Sequence, residues 1–183
     1  MHGIIFSELK KYVDDRLGGA AWGALLEKAG LSGRIYMPVQ EYPDADAVKL
    51  VTTASAITGR PAQAVLEDFG EFIAPDLLKM YASLIRKEWR TLDVIEHTEE
   101  TIHRVVRHRN PGAKPPELRC LRIGPDEVVV VYSSPRKMCA VAKGIARGMA
   151  RHFKETVATS ESSCMLAGAK ECRISVQRQP SPR

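Results

Sequence analysis

No run of apolar residues in this 183-residue chain approaches the roughly 20 needed to cross a bilayer. The opening "MHGIIF" leads straight into a helix-like segment, without the basic, apolar and small-residue zones of a secretory leader. With neither anchor nor leader expected, the implied location is cytoplasmic. Aromatic residues are few, at 6%, and none interleaves with the basic clusters, so the stacking platforms that bind single-stranded nucleic acid are missing. Cysteine is scarce as well. In a reducing compartment the four present serve as thiols or metal ligands rather than structural disulfides. A Walker phosphate loop, a Gly-x-Ser-x-Gly elbow and a His-Glu-x-x-His zinc signature are all absent, and no kinase-like or cyclase-like sequence follows Val176. These absences argue against an enzyme. There is no internal repeat or low-complexity block.

What is present suits one soluble domain over residues 1–183: 44% apolar and 27% charged residues, enough length for a sizeable core, and a mild net charge of +5. Arg104, Arg107, His108 and Arg109 form one basic cluster, and Arg147, Arg151, His152 and Lys154 another. With acidic neighbours such as Glu99 and Glu100, both read as solvated helix faces; nucleic-acid binding is a weak alternative.

The first half is helical in pattern. "FSELKKYVDDRLG" ends at Gly18-Gly19, "AAWGALLEKAGL" closes at Gly30, and "ADAVKLVTTASAITG" takes Asp44 or Asp46 as cap and Gly59 as stop. "PAQAVLEDFGEFIAPDLLKMYASLI" starts at Pro61 and is one helix or two, with Pro75 marking a break or kink. "TLDVIEHTEETIHRVVRHRNPG" is a long helix stopped by Asn110-Pro111-Gly112. The character then changes. "ELRCLRIGPDEVVVVYSS" reads as a hairpin around Gly124-Pro125-Asp126, "KMCAVAKGIARGMARHFKE" as a helix, and "SSCMLAGAKECRISVQ" as a second strand pair turning at Gly168. The fold class is α+β: a helical N-terminal subdomain (1–60), a sheet-containing subdomain (61–176) and a flexible tail (177–183).

Two features carry chemistry. The β-branched run "VVVVYSSPRK" ends in Tyr132, Ser134 and Arg136. Residues two apart on a strand share a face, so three donors emerge together, one permanently cationic. Such a set suits an anion with several acceptor oxygens, although a polar strand end at the surface would read the same way. The five histidines are His2, His97, His103, His108 and His152. On the helix before Asn110 the apolar stripe is Val94, Ile95, Ile102, Val105 and Val106, with His103 and His108 flanking opposite edges and His97 further round. Periodicity admits His103 without selecting it.

"MHGIIF", "IHRVVRHRNPGAKPPEL" and "YSSPRK", in this order and spacing, resemble the heme nitric oxide/oxygen binding (H-NOX) family, bacterial relatives of the sensor domain of soluble guanylate cyclase. The likeness runs from Met1 to about Val176. It implies the H-NOX fold, a heme b cofactor, and Tyr132, Ser134 and Arg136 as ligands of the heme propionates. The family's proximal histidine lies nine residues before the glycine of a "PGA-x-PP"-like loop, and counting back from Gly112 reaches His103. Pro116 matches the proline that presses on the heme and distorts it. The resemblance places Ile5, Leu9, Ile73, Leu77, Val141 and Ile145 on the distal side. Oxygen-binding members carry a tyrosine where this chain has Val141, so the pocket is expected to prefer nitric oxide, with carbon monoxide binding too. In the family, nitric oxide can break the iron–imidazole bond. Stand-alone members usually signal to a separate histidine kinase or cyclic-di-GMP enzyme.

Cys139, Cys164 and Cys172 form the other constellation. A turn brings Cys164 and Cys172 together on the last strand pair, and Cys139 opens the preceding helix as a third sulfur. Some members of the resembled family hold a structural zinc here, with a histidine three residues before the cysteine matching Cys164; this chain has Glu161 there. A carboxylate can ligate zinc, and Cys120 matches no ligand position. The main alternative function is therefore a zinc/thiol redox sensor built on this cluster.

Overall fold

The structure, a computed structural model, describes residues 1–110 and 112–180. Four helices open the chain: α1 (Gly3–Leu17), α2 (Ala21–Lys28), α3 (Asp44–Thr58) and α4 (Ala62–Met80). Next come α5 (Thr91–Thr98), one π-helical turn (Glu99–His103) and α6 (Arg104–Arg109), which run on from one another as the single long helix expected from the sequence. Strands β1 (Glu117–Gly124) and β2 (Glu127–Ser133), helix α7 (Cys139–His152), and strands β3 (Thr156–Ser163) and β4 (Cys172–Gln179) complete it. The expected α+β order of helices, then sheet, is what the chain adopts. No helix among the described residues is long and apolar enough to cross a membrane.

The four strands form one antiparallel sheet in the order β1-β2-β4-β3. The Val128–Val131 run lies in the middle of it, because a strand paired on both edges and covered on one face rewards β-branched side chains. One hydrophobic core lies under this sheet: Val128, Val130, Ile174 and Val176 meet Val94 and Ile95 of α5 and Ala146 and Met149 of α7. The other joins α1–α3 through Phe6, Leu9, Val13, Leu25 and Leu50 to Val65, Phe69 and Ile73 of α4. Helix α4 thus serves both, its N-terminal half in one core and Ala74 and Leu78 in the other.

Helices α4 and α7 cross closely. A methyl group added at Gly144 would fall 2.0 Å from the Glu67 carbonyl oxygen, and one at Gly70 2.3 Å from that of Val141. Only glycine permits that approach. Across the same crossing Glu67 receives Arg147 Nη2 at 2.8 Å and Lys143 Nζ at 3.0 Å, so this part of the second basic cluster is paired, not free.

Several sequence expectations change. Pro75 neither ends α4 nor divides it. It cannot supply an N–H to the Glu71 carbonyl, and Gly148 of α7 packs against that oxygen. Neither Asp44 nor Asp46 caps α3. Pro43 holds the cap position, Asp44 pairs with Arg136, and buried Asp46 accepts the Tyr36 hydroxyl at 3.0 Å. Strand β3 begins at Thr156, six residues before the expected pair, because its Ser/Thr-rich sequence hides the period-two pattern. Residues 177–179, expected in the flexible tail, continue β4: Gln179 pairs with Thr156, and the Arg178 guanidinium holds Asp126 at 2.8 Å through Nε. Residues 181–183 of that tail lie outside the described residues, as does Pro111 of the expected helix stop.

Candidate functional site

Between the two cores lies a cavity of about 520 Å³. The expected distal residues Ile5, Leu9, Ile73, Leu77, Val141 and Ile145 all line it, on α1, α4 and α7. So do His103, Pro115, Pro116, Tyr132, Ser134 and Arg136. Neither His97 nor His108 does. His97 is stacked on Trp89 at 4.5 Å with Nδ1 against the Asp93 carbonyl, and His108 is exposed on α6.

His103 closes the π turn. Arg104 N–H reaches back to the Glu99 carbonyl, and the hydroxyls of Thr98 and Thr101 donate to the carbonyls of Val94 and His97 at 2.7 and 2.6 Å. Single π turns of this kind recur at functional sites. The imidazole Nδ1 meets Glu99 Oε2 at 3.0 Å. Burial lowers the His103 pKa below its ordinary value, with Glu99 pulling the other way, so the ring is neutral near pH 7 and has a lone pair to give.

Strand β2 ends at Ser133, so Ser134 and Arg136 do not share a strand face with Tyr132. A turn gathers them instead: Lys137, with φ of 51°, bonds through its N–H to the Ser134 carbonyl at 3.0 Å. Tyr132 and Ser134 are buried, at 3% and 4% exposure, and Arg136 Nε donates to Asp44 at 2.8 Å. The Arg136 guanidinium also reaches the Lys114 carbonyl. Tyr81, at the end of α4, is a further lining residue that sequence reasoning missed; it follows Leu77 by one turn, and burial raises its pKa. The sequence signal was there, since Ile73, Leu77 and Tyr81 are spaced by four.

The cysteines gather at the same end of the sheet's central strands, where Cys172 at the start of β4 pairs with Tyr132. Sulfur and carboxylate atoms of Cys139, Cys164, Cys172 and Glu161 all lie within 4.8 Å of one another. Cys164 is 3.8 Å from Cys139 and 4.0 Å from Cys172, sulfur to sulfur, far beyond disulfide length. Cys164 itself stands just past β3 and not on it, as the expected strand pair had it. Burial raises the Cys139 and Cys172 thiols above their ordinary pKa, and one Glu161 oxygen, Oε1, is buried without a hydrogen-bond partner among the described residues. Cys120 stands apart on β1, bonded to the Ile95 carbonyl, and burial pushes its thiol up to about 12.

A model of the family described as haem-NO-binding matches residues 2–161. The chain belongs to that family. Among solved structures it is similar to an H-NOX protein from S. oneidensis in the Fe(II)NO state, at 27% identity over 98% of this chain and 100% of that one, with a TM-score of 0.91. A solution structure from Shewanella oneidensis in the Fe(II)CO state matches at 26% identity and TM-score 0.87, covering 99% of this chain and 100% of that one. An unliganded Fe(II) H-NOX protein from K. algicida shares the fold, at 20% identity, 100% and 99% coverage and TM-score 0.86. No curated protein matches the chain.

For a haem-NO-binding domain the cavity is of suitable size and chemistry for the cofactor. It falls within the usual range of about 300–1,000 Å³ for cofactor sites, is apolar over most of its wall, and gathers a neutral imidazole with three side chains that can donate hydrogen bonds. The thiol cluster also fits an ion. Tetrahedral zinc with Zn–S of about 2.3 Å separates its sulfurs by about 3.8 Å. Cys164 already lies at about that distance from both other sulfurs, and a Glu161 carboxylate oxygen is within 4.8 Å of all three.

Proposed function

We propose that this haem-NO-binding domain is a nitric oxide sensor that carries ferrous heme b on His103 and reports to a separate partner protein. The observation that carries the reading is the placement of His103 and the Tyr132, Ser134 and Arg136 set on one apolar cavity. Heme bound there would supply an open iron position for a diatomic gas. His103 gives Nε2, since Nδ1 is committed to Glu99. Tyr132, Ser134 and Arg136 hold the propionate carboxylates, with Arg136 also tied to Asp44 on α3. Pro116, which lines the same cavity as His103, would press on the bound heme. Ile5, Leu9, Ile73, Leu77, Val141 and Ile145 keep water out and offer no hydrogen bond to bound oxygen, which favours nitric oxide and, secondarily, carbon monoxide. His103 lies on the continuous helix from Thr91 to Arg109, so any movement of the imidazole moves a surface that a histidine kinase or cyclic-di-GMP enzyme can read.

A second reading rests on its own observation, the four-ligand cluster. Cys139, Cys164, Cys172 and Glu161 hold zinc, and oxidation of the thiols would release it. The two readings are compatible, and the colour of the purified protein separates them.

Expression with heme available should give a Soret band that His103→Ala abolishes or greatly weakens and His97→Ala leaves intact. Full heme retention in His103→Ala, with loss in His97→Ala, would overturn the ligand assignment.

A further inference from the structure

Glu99 has an unusual share of contacts for a side chain about 29% exposed. Its Oε2 faces His103 Nδ1 at 3.0 Å and accepts the backbone N–H of Leu118 at 3.1 Å, while Oε1 holds the Arg107 guanidinium. One carboxylate therefore joins the first and last residues of the π turn, the next turn of helix in α6, and the start of β1. An ordinary helix-surface ion pair would need only Arg107. The bond to Leu118 is what fixes the carboxylate against the sheet and aims it at the imidazole.

We infer that Glu99 is the positioning residue for His103, setting both the orientation of the imidazole and its strength as a donor to iron. The inference rests on the proposed role of His103. A histidine ligand whose other nitrogen donates to a carboxylate is fixed in tautomer and rotation and becomes more basic, and loss of such a partner typically costs about 10–100-fold in metal affinity. In this chain the partner is not a free surface carboxylate. Leu118 N–H and Arg107 draw on the same group, so both its place and its electron density are shared between the helix and β1. The grip of His103 on iron, and hence how readily nitric oxide frees it, is tuned at Glu99.

The test compares wild type, Glu99→Gln, Glu99→Asp and Arg107→Ala, all as heme-loaded protein. Glu99→Gln keeps the size and an oxygen for Leu118 but is a weaker acceptor for the imidazole; Arg107→Ala removes the ion pair and leaves the imidazole contact. The readouts are the iron–imidazole stretching frequency of the unliganded ferrous protein, the fraction of the nitric oxide complex that keeps its imidazole, and heme transfer to excess apomyoglobin. Glu99→Gln is expected to lower the frequency, reduce the retained fraction and speed transfer about 10-fold or more. Glu99→Asp, one carbon shorter, should shift the same way by less, and decides the matter if the Gln variant holds no heme. Arg107→Ala should move the frequency far less than Glu99→Gln. An unchanged frequency in both Glu99 variants, or equal shifts in Arg107→Ala and Glu99→Gln, overturns the inference while the heme reading stands. A wild type that takes up no heme overturns both.

Discussion

Arg136 Nε donates to Asp44 Oδ1 at 2.8 Å, joining positions 92 residues apart in sequence. The pair links the turn after β2 to the first turn of α3, and so fastens the helical part of the chain to the anion-binding set. Asp44 is 44% exposed, so the pair itself contributes little, under about 1 kcal/mol. Asp44→Ala should lower the melting temperature slightly and leave most heme bound. Arg136→Ala should lose far more heme, seen as a fall in the Soret-to-protein absorbance ratio. Equal heme loss in the two variants would mean that the ion pair, and not a guanidinium–propionate contact, is what matters at Arg136.

On the distal wall, ferrous protein should bind nitric oxide and carbon monoxide but form no lasting oxygen complex. Val141→Tyr should slow oxygen loss if the new hydroxyl reaches the ligand, read as the decay of the oxygenated spectrum. Tyr81 supplies the internal check, because it is a hydroxyl-bearing residue of the cavity lining. A stable oxygen complex in wild type that Tyr81→Phe removes would show that the distal side has a donor after all.

For the thiol cluster, elemental analysis under reducing conditions should find about one zinc per chain. Cys172→Ala, which removes a fully buried sulfur from the start of β4, should release the metal and lower the melting temperature; Cys120→Ala should do neither. Metal-free wild type whose cluster thiols react quickly with thiol reagents would favour the redox switch without zinc.

Stability should also fall in acid through the α4–α7 crossing. Burial alone would raise the Glu67 pKa, but hydrogen bonds from Lys143 and Arg147 outweigh it and hold the carboxyl below its ordinary value of 4.5. A carboxylate depressed on folding adds stability above its unfolded pKa and loses it as pH falls through the folded value. Between about pH 5 and pH 3, wild type should therefore lose melting temperature faster than Glu67→Gln, which has no proton to take up. Parallel curves would place the acid sensitivity elsewhere.

Much of this was legible in the residues. The switch from helical spacing to the Val128–Val131 run marked where helices end and the sheet begins, and the family resemblance carried by "PGAKPP" pointed to His103, which does line the cavity. What stayed hidden has physical causes. The Ser/Thr-rich β3 lacks the apolar alternation that marks a strand, so its start was missed by six residues. The gathering of Tyr132, Ser134 and Arg136 was expected from strand alternation but comes from a turn with a left-handed Lys137, which nothing in the local sequence requires. Glu99 reads as one of two adjacent acidic residues on a solvated face. The approach of Leu118, 19 positions later, together with the contacts to His103 and Arg107, distinguishes it from Glu100.

The glycine-mediated crossing of α4 and α7 also decides where the molecule can give way. Both helices carry distal residues, and backbone already touches backbone between them at Gly70 and Gly144, so they have no slack in which to move closer. A bulkier side chain at Ile73 or Ile145 cannot be relieved from that side. The opposite boundary includes a π turn, the six-residue α6 and residues 113–116, which belong to no helix or strand. The cavity thus has one closely packed side, where α4 meets α7, and one irregular side, which carries His103. Crowding from a ligand or a substitution in the cavity would then be relieved toward the helix that carries His103.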